Sequence, residues 1–110
     1  MEVTRGDLVI VAVRGAYTGK PRPALVVQAD LFNEAHASVT VCPVTSESID
    51  APLFRVPLPP GTRTGLQAVS QVMVDKVVSV PRSAIARRIG SCNDSETQMV
   101  DDALRRWLAL

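Results

Sequence analysis

Arg22 stands between Pro21 and Pro23. Proline fixes φ and restricts the residue before it, so this guanidinium is carried on a stiff backbone. Its planar fork of five donors suits a phosphate, and catalytic electrostatics depend on donors aimed in advance. Thr45 and Ser46 follow Pro43, and their hydroxyls could reach a further phosphate oxygen. The plainer alternatives are an exposed arginine and an ordinary hydroxyl turn. Other chemistries find little here. His36 is the only imidazole, so a two-histidine acid–base pair cannot be built within one chain. Cys42 with His36 would make a nucleophile–base pair, but no spacing supports it. Asp75 has no carboxylate neighbour in sequence with which to hold a metal, and no phosphate-cradling GxxxxGK[ST] or GxGxxG loop is present. No cofactor is expected.

Elements must position these groups. Leu8-Val9-Ile10-Val11-Ala12-Val13 is a continuous apolar run that predicts a strand buried on both faces. Ala24 to Val27 predicts a second strand, with Pro23 at its first position. Ser38 to Cys42 alternates as a third strand and is expected to stop at Pro43. Phe54 to Leu58 predicts a fourth, ended by Pro59-Pro60-Gly61. Gly65 to Val69 and Val72 to Val80 read as further strand material, with Gln71 and Asp75-Lys76 as polar interruptions. Pro81 to Ala86 suggests one helical turn, and Arg87 to Cys92 a last short strand. Leu31 to His36 has moderate helical character. The clearest element is the tail. Asn93 and Glu96 have capping-box spacing, and Met99, Val100, Ala103, Leu104, Trp107 and Leu108 recur as one apolar stripe. Asp101 with Arg105, and Asp102 with Arg106, are expected to pair along it. Trp107 is expected to anchor its docking.

The 110 residues make a single domain, 1–110, of ordinary globular composition: 46% hydrophobic and 21% charged. Twelve Lys and Arg against eleven Asp and Glu leave a formal charge of +1, which argues against coating nucleic acid by bulk charge. Only four aromatic residues occur, too few for an interleaved base-stacking platform. Cys42 and Cys92 form neither a disulfide framework nor a spaced zinc site. With no signal-like segment at the N-terminus and no long apolar run, the expected location is cytoplasmic. Short strands punctuated by Gly and Pro, followed by a helix, predict a mainly β fold, a small antiparallel barrel with a C-terminal α-helix.

Three blocks in order carry a resemblance: Arg5-Gly6-Asp7-Leu8-Val9, then Gly19-Lys20-Pro21-Arg22-Pro23-Ala24-Leu25-Val26-Val27, then Cys42-Pro43-Val44-Thr45-Ser46. Gln71 with Val72 to Val77, Ile89-Gly90 and the C-terminal helix continue it. The chain resembles the MazF/PemK-type toxins, the toxin halves of bacterial type II toxin–antitoxin pairs. The resemblance implies an SH3-like barrel and a homodimer. It also implies a metal-independent, sequence-specific endoribonuclease that cuts single-stranded RNA by 2′-hydroxyl attack, leaving a cyclic phosphate. It places catalysis on Arg22 and Thr45. Lys20, Ser46, Gln71 and Tyr17 are RNA contacts on the same ground. The partner it implies is an antitoxin with an acidic-hydrophobic tail. Ser70 stands where many relatives carry an acidic residue before the glutamine. Two rival functions are a toxin of the same fold that poisons DNA gyrase, as CcdB-like proteins do, and a non-enzymatic binding barrel.

Overall fold

The computed structural model describes residues 2–12 and 20–110. Seven strands, every pairing antiparallel, form one curled sheet: β1 (Asp7–Val11), β2 (Arg22–Val26), β3 (Ser38–Thr45), β4 (Arg55–Leu58), β5 (Ser70–Met73), β6 (Val78–Pro81) and β7 (Ile85–Ser91). Their order is β4-β5-β3-β2-β1-β7, with β6 also on β3. The predicted antiparallel β architecture with a C-terminal helix is therefore present, but as a wrapped sheet whose end strands, β4 and β7, are not paired to each other. A four-residue helix, α1 (Asp30–Asn33), follows β2, and α2 (Asp94–Leu108) ends the chain.

β1 shows how the sequence dictates the layering. Leu8 enters one core with Leu25, Val44, Leu58, Val72 and the α2 residues Val100 and Ala103. Val9 and Val11 enter the other, with Val26, Val39, Val41, Val80 and Ile85. A strand that feeds two cores must be apolar at consecutive positions, as this one is.

Two expectations need correction. β3 does not stop at Pro43 but runs on to Thr45. It pairs with β6 up to Val41 and with β5 from Val44, so on that flank Pro43 falls where the partner changes and the missing N–H breaks no continuous ladder. Residues 65–69 form no strand; they are a connecting loop. The polar interruption expected at Asp75-Lys76 is present: a 3₁₀ turn at Val74–Lys76 separates β5 from β6, and Asp75 in that turn pairs with Arg55 at 2.9 Å.

The capping box at Asn93 is present: Asn93 Oδ1 accepts from the Glu96 amide at 2.8 Å, and Glu96 Oε1 accepts from the Asn93 amide at 2.9 Å. The expected charge pairs along α2 are replaced. Asp102 pairs with Arg105 at 3.2 Å, one residue nearer than predicted. Asp101 reaches Arg5 at 2.8 Å, and Arg106 donates to the Leu53 carbonyl at 3.0 Å, so long-range partners win over local ones. Trp107 lies against Phe54 with ring centroids 5.6 Å apart, and about half of it stays exposed.

Glu96 also fastens α2 to the segment before β5. Arg63 grips it with two guanidinium nitrogens, at 2.7 and 2.9 Å. Burial pushes the Glu96 carboxyl up, but the Arg63 and Asn93 hydrogen bonds outweigh it, and the group titrates below its ordinary value near 4.5. A depressed native pKa gives stability that is complete above the ordinary value and lost as pH falls through the native one. Urea midpoints measured from pH 6 down to pH 3 are therefore expected to decline, and to decline less in Glu96→Gln. Parallel curves for the two proteins would contradict this.

Candidate active site

β2 begins at Arg22 and β3 ends at Thr45, and these antiparallel neighbours pair Ala24 with Pro43. Carrying that register one pleat further sets Arg22 opposite Thr45, on strands about 4.8 Å apart. The two residues predicted to act together thus stand side by side at one end of the sheet. Both line an open groove of about 710 Å³.

The Arg22 side chain is exposed and makes no hydrogen bond or ion pair among the described residues. Thr45 is half-buried, and its Oγ1 accepts from the Glu47 amide at 3.1 Å. That bond fixes the oxygen and leaves the hydroxyl proton free to donate outward. Ser46 is exposed on the groove wall. An arginine fork and a hydroxyl converging on one open space are donors suited to a phosphodiester.

The other predicted contacts divide. Lys20 is exposed just before β2 but is not among the groove-lining residues. Gln71, directly opposite Thr45 on β5, has its amide occupied: Nε2 donates to the Ile49 carbonyl at 2.9 Å and Oε1 accepts from the Ile49 amide at 3.2 Å. It clips the 46–54 loop that follows Thr45. Tyr17 lies outside the described residues. Ser70 is buried, and its hydroxyl donates to the Ala68 carbonyl at 2.8 Å, tying down the loop on the groove's far side.

That far wall was not legible from the sequence. It consists of Gly65, Leu66, Gln67 and Ala68, with Arg87 and Ile89 from β7. Its position follows from contacts without side chains. Gly65 has φ +71°, and a Cβ there would collide with the Ile89 carbonyl; a Cβ on Gly90 would collide with the backbone of Thr64. The two backbones pack directly together, and the Ser91 amide donates to the Arg63 carbonyl at 2.9 Å. Glu47 adds a carboxylate to the groove, so its charge is mixed rather than uniformly positive.

The cysteines sit apart from this chemistry. Cys42 is fully buried in the first core, and burial pushes its thiol up to about 12. Burial pushes Cys92 up to about 12 as well. Neither is a thiolate near neutral pH. The His36 Nδ1 is engaged with Ser38, accepting from its amide at 3.2 Å, on the exposed side of β3's start. Among the described residues, no group of three or more His, Cys, Asp or Glu could hold a metal ion. No helix among them is long and apolar enough to cross a membrane.

Comparison with known proteins agrees with this geometry. Residues 4–108 match the family model described as the PemK-like, MazF-like toxin of type II toxin–antitoxin system. A probable endoribonuclease MazF of Mycolicibacterium smegmatis is 48% identical over 106 residues, covering 96% of each chain. Endoribonuclease MazF9 of Mycobacterium tuberculosis is 32% identical over 88% of this chain and 86% of its own. A crystal structure of MazE-MazF from Deinococcus radiodurans superposes with a TM-score of 0.85 at 28% identity, covering 100% of this chain and 99% of that one. The family match gives no support to a CcdB-like gyrase poison. With the wrapped sheet, the paired strand ends and these relatives in agreement, the chain belongs to the PemK-like, MazF-like toxins of type II toxin–antitoxin systems.

Proposed function

We propose that this chain is the toxin of a type II pair and acts as a metal-independent endoribonuclease on single-stranded RNA in the cytoplasm. The observation that carries this reading is the placement of Arg22 and Thr45 at adjacent strand ends on one groove, free to donate outward. In the reaction the 2′-oxygen of the substrate attacks the neighbouring phosphorus. The bond from phosphorus to the 5′-oxygen breaks, the 2′ proton is lost and the departing oxygen gains one. The products are a cyclic phosphate and a 5′-hydroxyl. Arg22 stabilises the charge that builds on the non-bridging oxygens, and Thr45 holds the phosphate in line. An arginine keeps its proton at neutral pH, so electrostatic stabilisation is assigned to it rather than proton abstraction.

Ser46 and Lys20 extend the donor set toward flanking nucleotides. Gln71 acts behind Thr45, through the loop it clips, in addition to any direct RNA contact. The family relatives named as MazE-MazF complexes support an antitoxin partner. An acidic-hydrophobic antitoxin segment would pair its carboxylates with the guanidinium that otherwise meets phosphate. A homodimer is part of the same reading.

Cleavage of a defined single-stranded RNA is expected to continue unchanged in excess EDTA, because the assigned donors need no bound cation. Loss of cleavage on chelation, with recovery on adding back a single metal, would overturn the mechanism.

A further inference from the structure

β7 carries two adjacent arginines with different fates. Arg88 is committed to the buried Asp7 carboxylate at 2.9 Å. Arg87 is exposed, lines the groove and makes no hydrogen bond or ion pair among the described residues. The pairing with β1 explains the difference. Leu8 faces Gly90, Val9 faces Arg88, Ile10 faces Arg87 and Val11 faces Ile85. Ile89 and Ala86 are thus extra residues, one on each side of the arginine pair. Such bulges twist a strand locally and re-aim its side chains, and they recur beside active sites. Ile10, the cross-strand partner of Arg87, lines the groove too, and pairs on its other side with Pro23, the neighbour of Arg22. Arg87 therefore stands in the Pro23 row, two strand spacings from it, about 10 Å away across the sheet. Arg22 and Arg87 thus line the groove from strands that are not neighbours, and Arg87 gives it a second exposed cation.

We propose that Arg87 is a phosphate-binding residue that holds a second backbone phosphate of the RNA strand, flanking the one that Arg22 meets. This rests on the RNA-cleaving reading above. A contact of this kind adds affinity and fixes the strand's path without reading its sequence. It also gives the groove two anchors, so a strand of fixed phosphate spacing is seated in one register.

The test uses the full chain and a single-stranded RNA whose nucleotide at the cleavage site is 2′-deoxy, which cannot be cut there. Arg87→Gln is expected to weaken binding about tenfold, a loss of about 1.4 kcal/mol. The slope of log affinity against log salt should fall by about 0.7, the value for one lost single-strand phosphate contact. Arg87→Lys keeps the charge and should retain the slope. Arg88→Gln removes the same charge outside the groove and should leave the slope where it was. On cleavable RNA the loss in Arg87→Gln should fall on KM more than on kcat. An unchanged affinity and slope in Arg87→Gln, or the same slope change in Arg88→Gln, would overturn the assignment. Failure of the unaltered protein to cut the cleavable RNA would instead overturn the nuclease reading itself.

Discussion

Arg22→Lys is expected to cleave RNA at least about a hundredfold more slowly than the unaltered protein, nearly as poorly as Arg22→Ala. Lysine keeps the charge but loses the planar fork and two of the five donors. Were Arg22 only an attractor of phosphate, lysine would restore most of the activity, because long-range attraction depends on charge alone. The structure favours aimed donation: Arg22 opens a strand, is flanked by prolines, and lines the groove with no partner among the described residues. Both variants should fold, since an exposed side chain at a strand end contributes little packing. Binding to an uncleavable 2′-deoxy RNA should stay within about tenfold, or about 1.4 kcal/mol. Single-turnover rates beside that binding measurement decide the matter. Near-normal turnover in the lysine variant would reduce Arg22 to a binding residue and leave the catalytic group to be found.

Gly65→Ala should be among the most damaging single-methyl additions in the molecule. The added carbon meets the Ile89 carbonyl, which is backbone and cannot swing aside, and the residue holds a positive φ of 71°. Forced overpacking costs about 1–3 kcal/mol, and the left-handed conformation of a non-glycine residue adds about 1–2 kcal/mol. A loss of about 2–5 kcal/mol is expected, read as a lowered urea midpoint with an unchanged slope. Gly61→Ala is the comparison, because a Cβ there has nothing within 4 Å although φ is also positive, at 133°. It should lose only the conformational part. Equal losses in the two variants would show that the close approach to β7 is not what matters at Gly65. Any Gly65→Ala protein that folds should also cut RNA poorly, since the displaced loop is the groove's far wall.

These two sites differ in how far the sequence exposed them. Arg22 was visible because its chemistry and its stiff setting are local: two prolines and a guanidinium within three residues. The layered β1 was visible for a similar reason, since burial on both faces demands an unbroken apolar run. The α2 helix announced itself through Asn93, Glu96 and its stripe. Pro43 misled because a proline ordinarily ends a strand; here the neighbouring strand changes at that point, a fact of topology that no local pattern encodes. The break at Asp75-Lys76 was visible as a polar interruption in an apolar run, but the partner that holds its turn, Arg55, lies far back in the chain and was not. In the sequence Arg87 was only the first residue of an expected short strand, Arg87 to Cys92. Only the two bulges, created by mismatch with β1, separate it from Arg88.

The pairing of β1 with β7 joins Leu8 to Gly90, the first strand to the last. Arg22 and Thr45 leave the ribosome before Gly90, Ile89 and Arg87, yet the groove they line needs all of these. A nascent chain halted before β7 carries Arg22 and Thr45 without the residues that complete the groove, and one edge of β1 stands unpaired. Contacts between such distant segments also close slowly, because a long loop must be gathered first. The groove is thus assembled only after β7 has been synthesised, and a fragment released before that point lacks it.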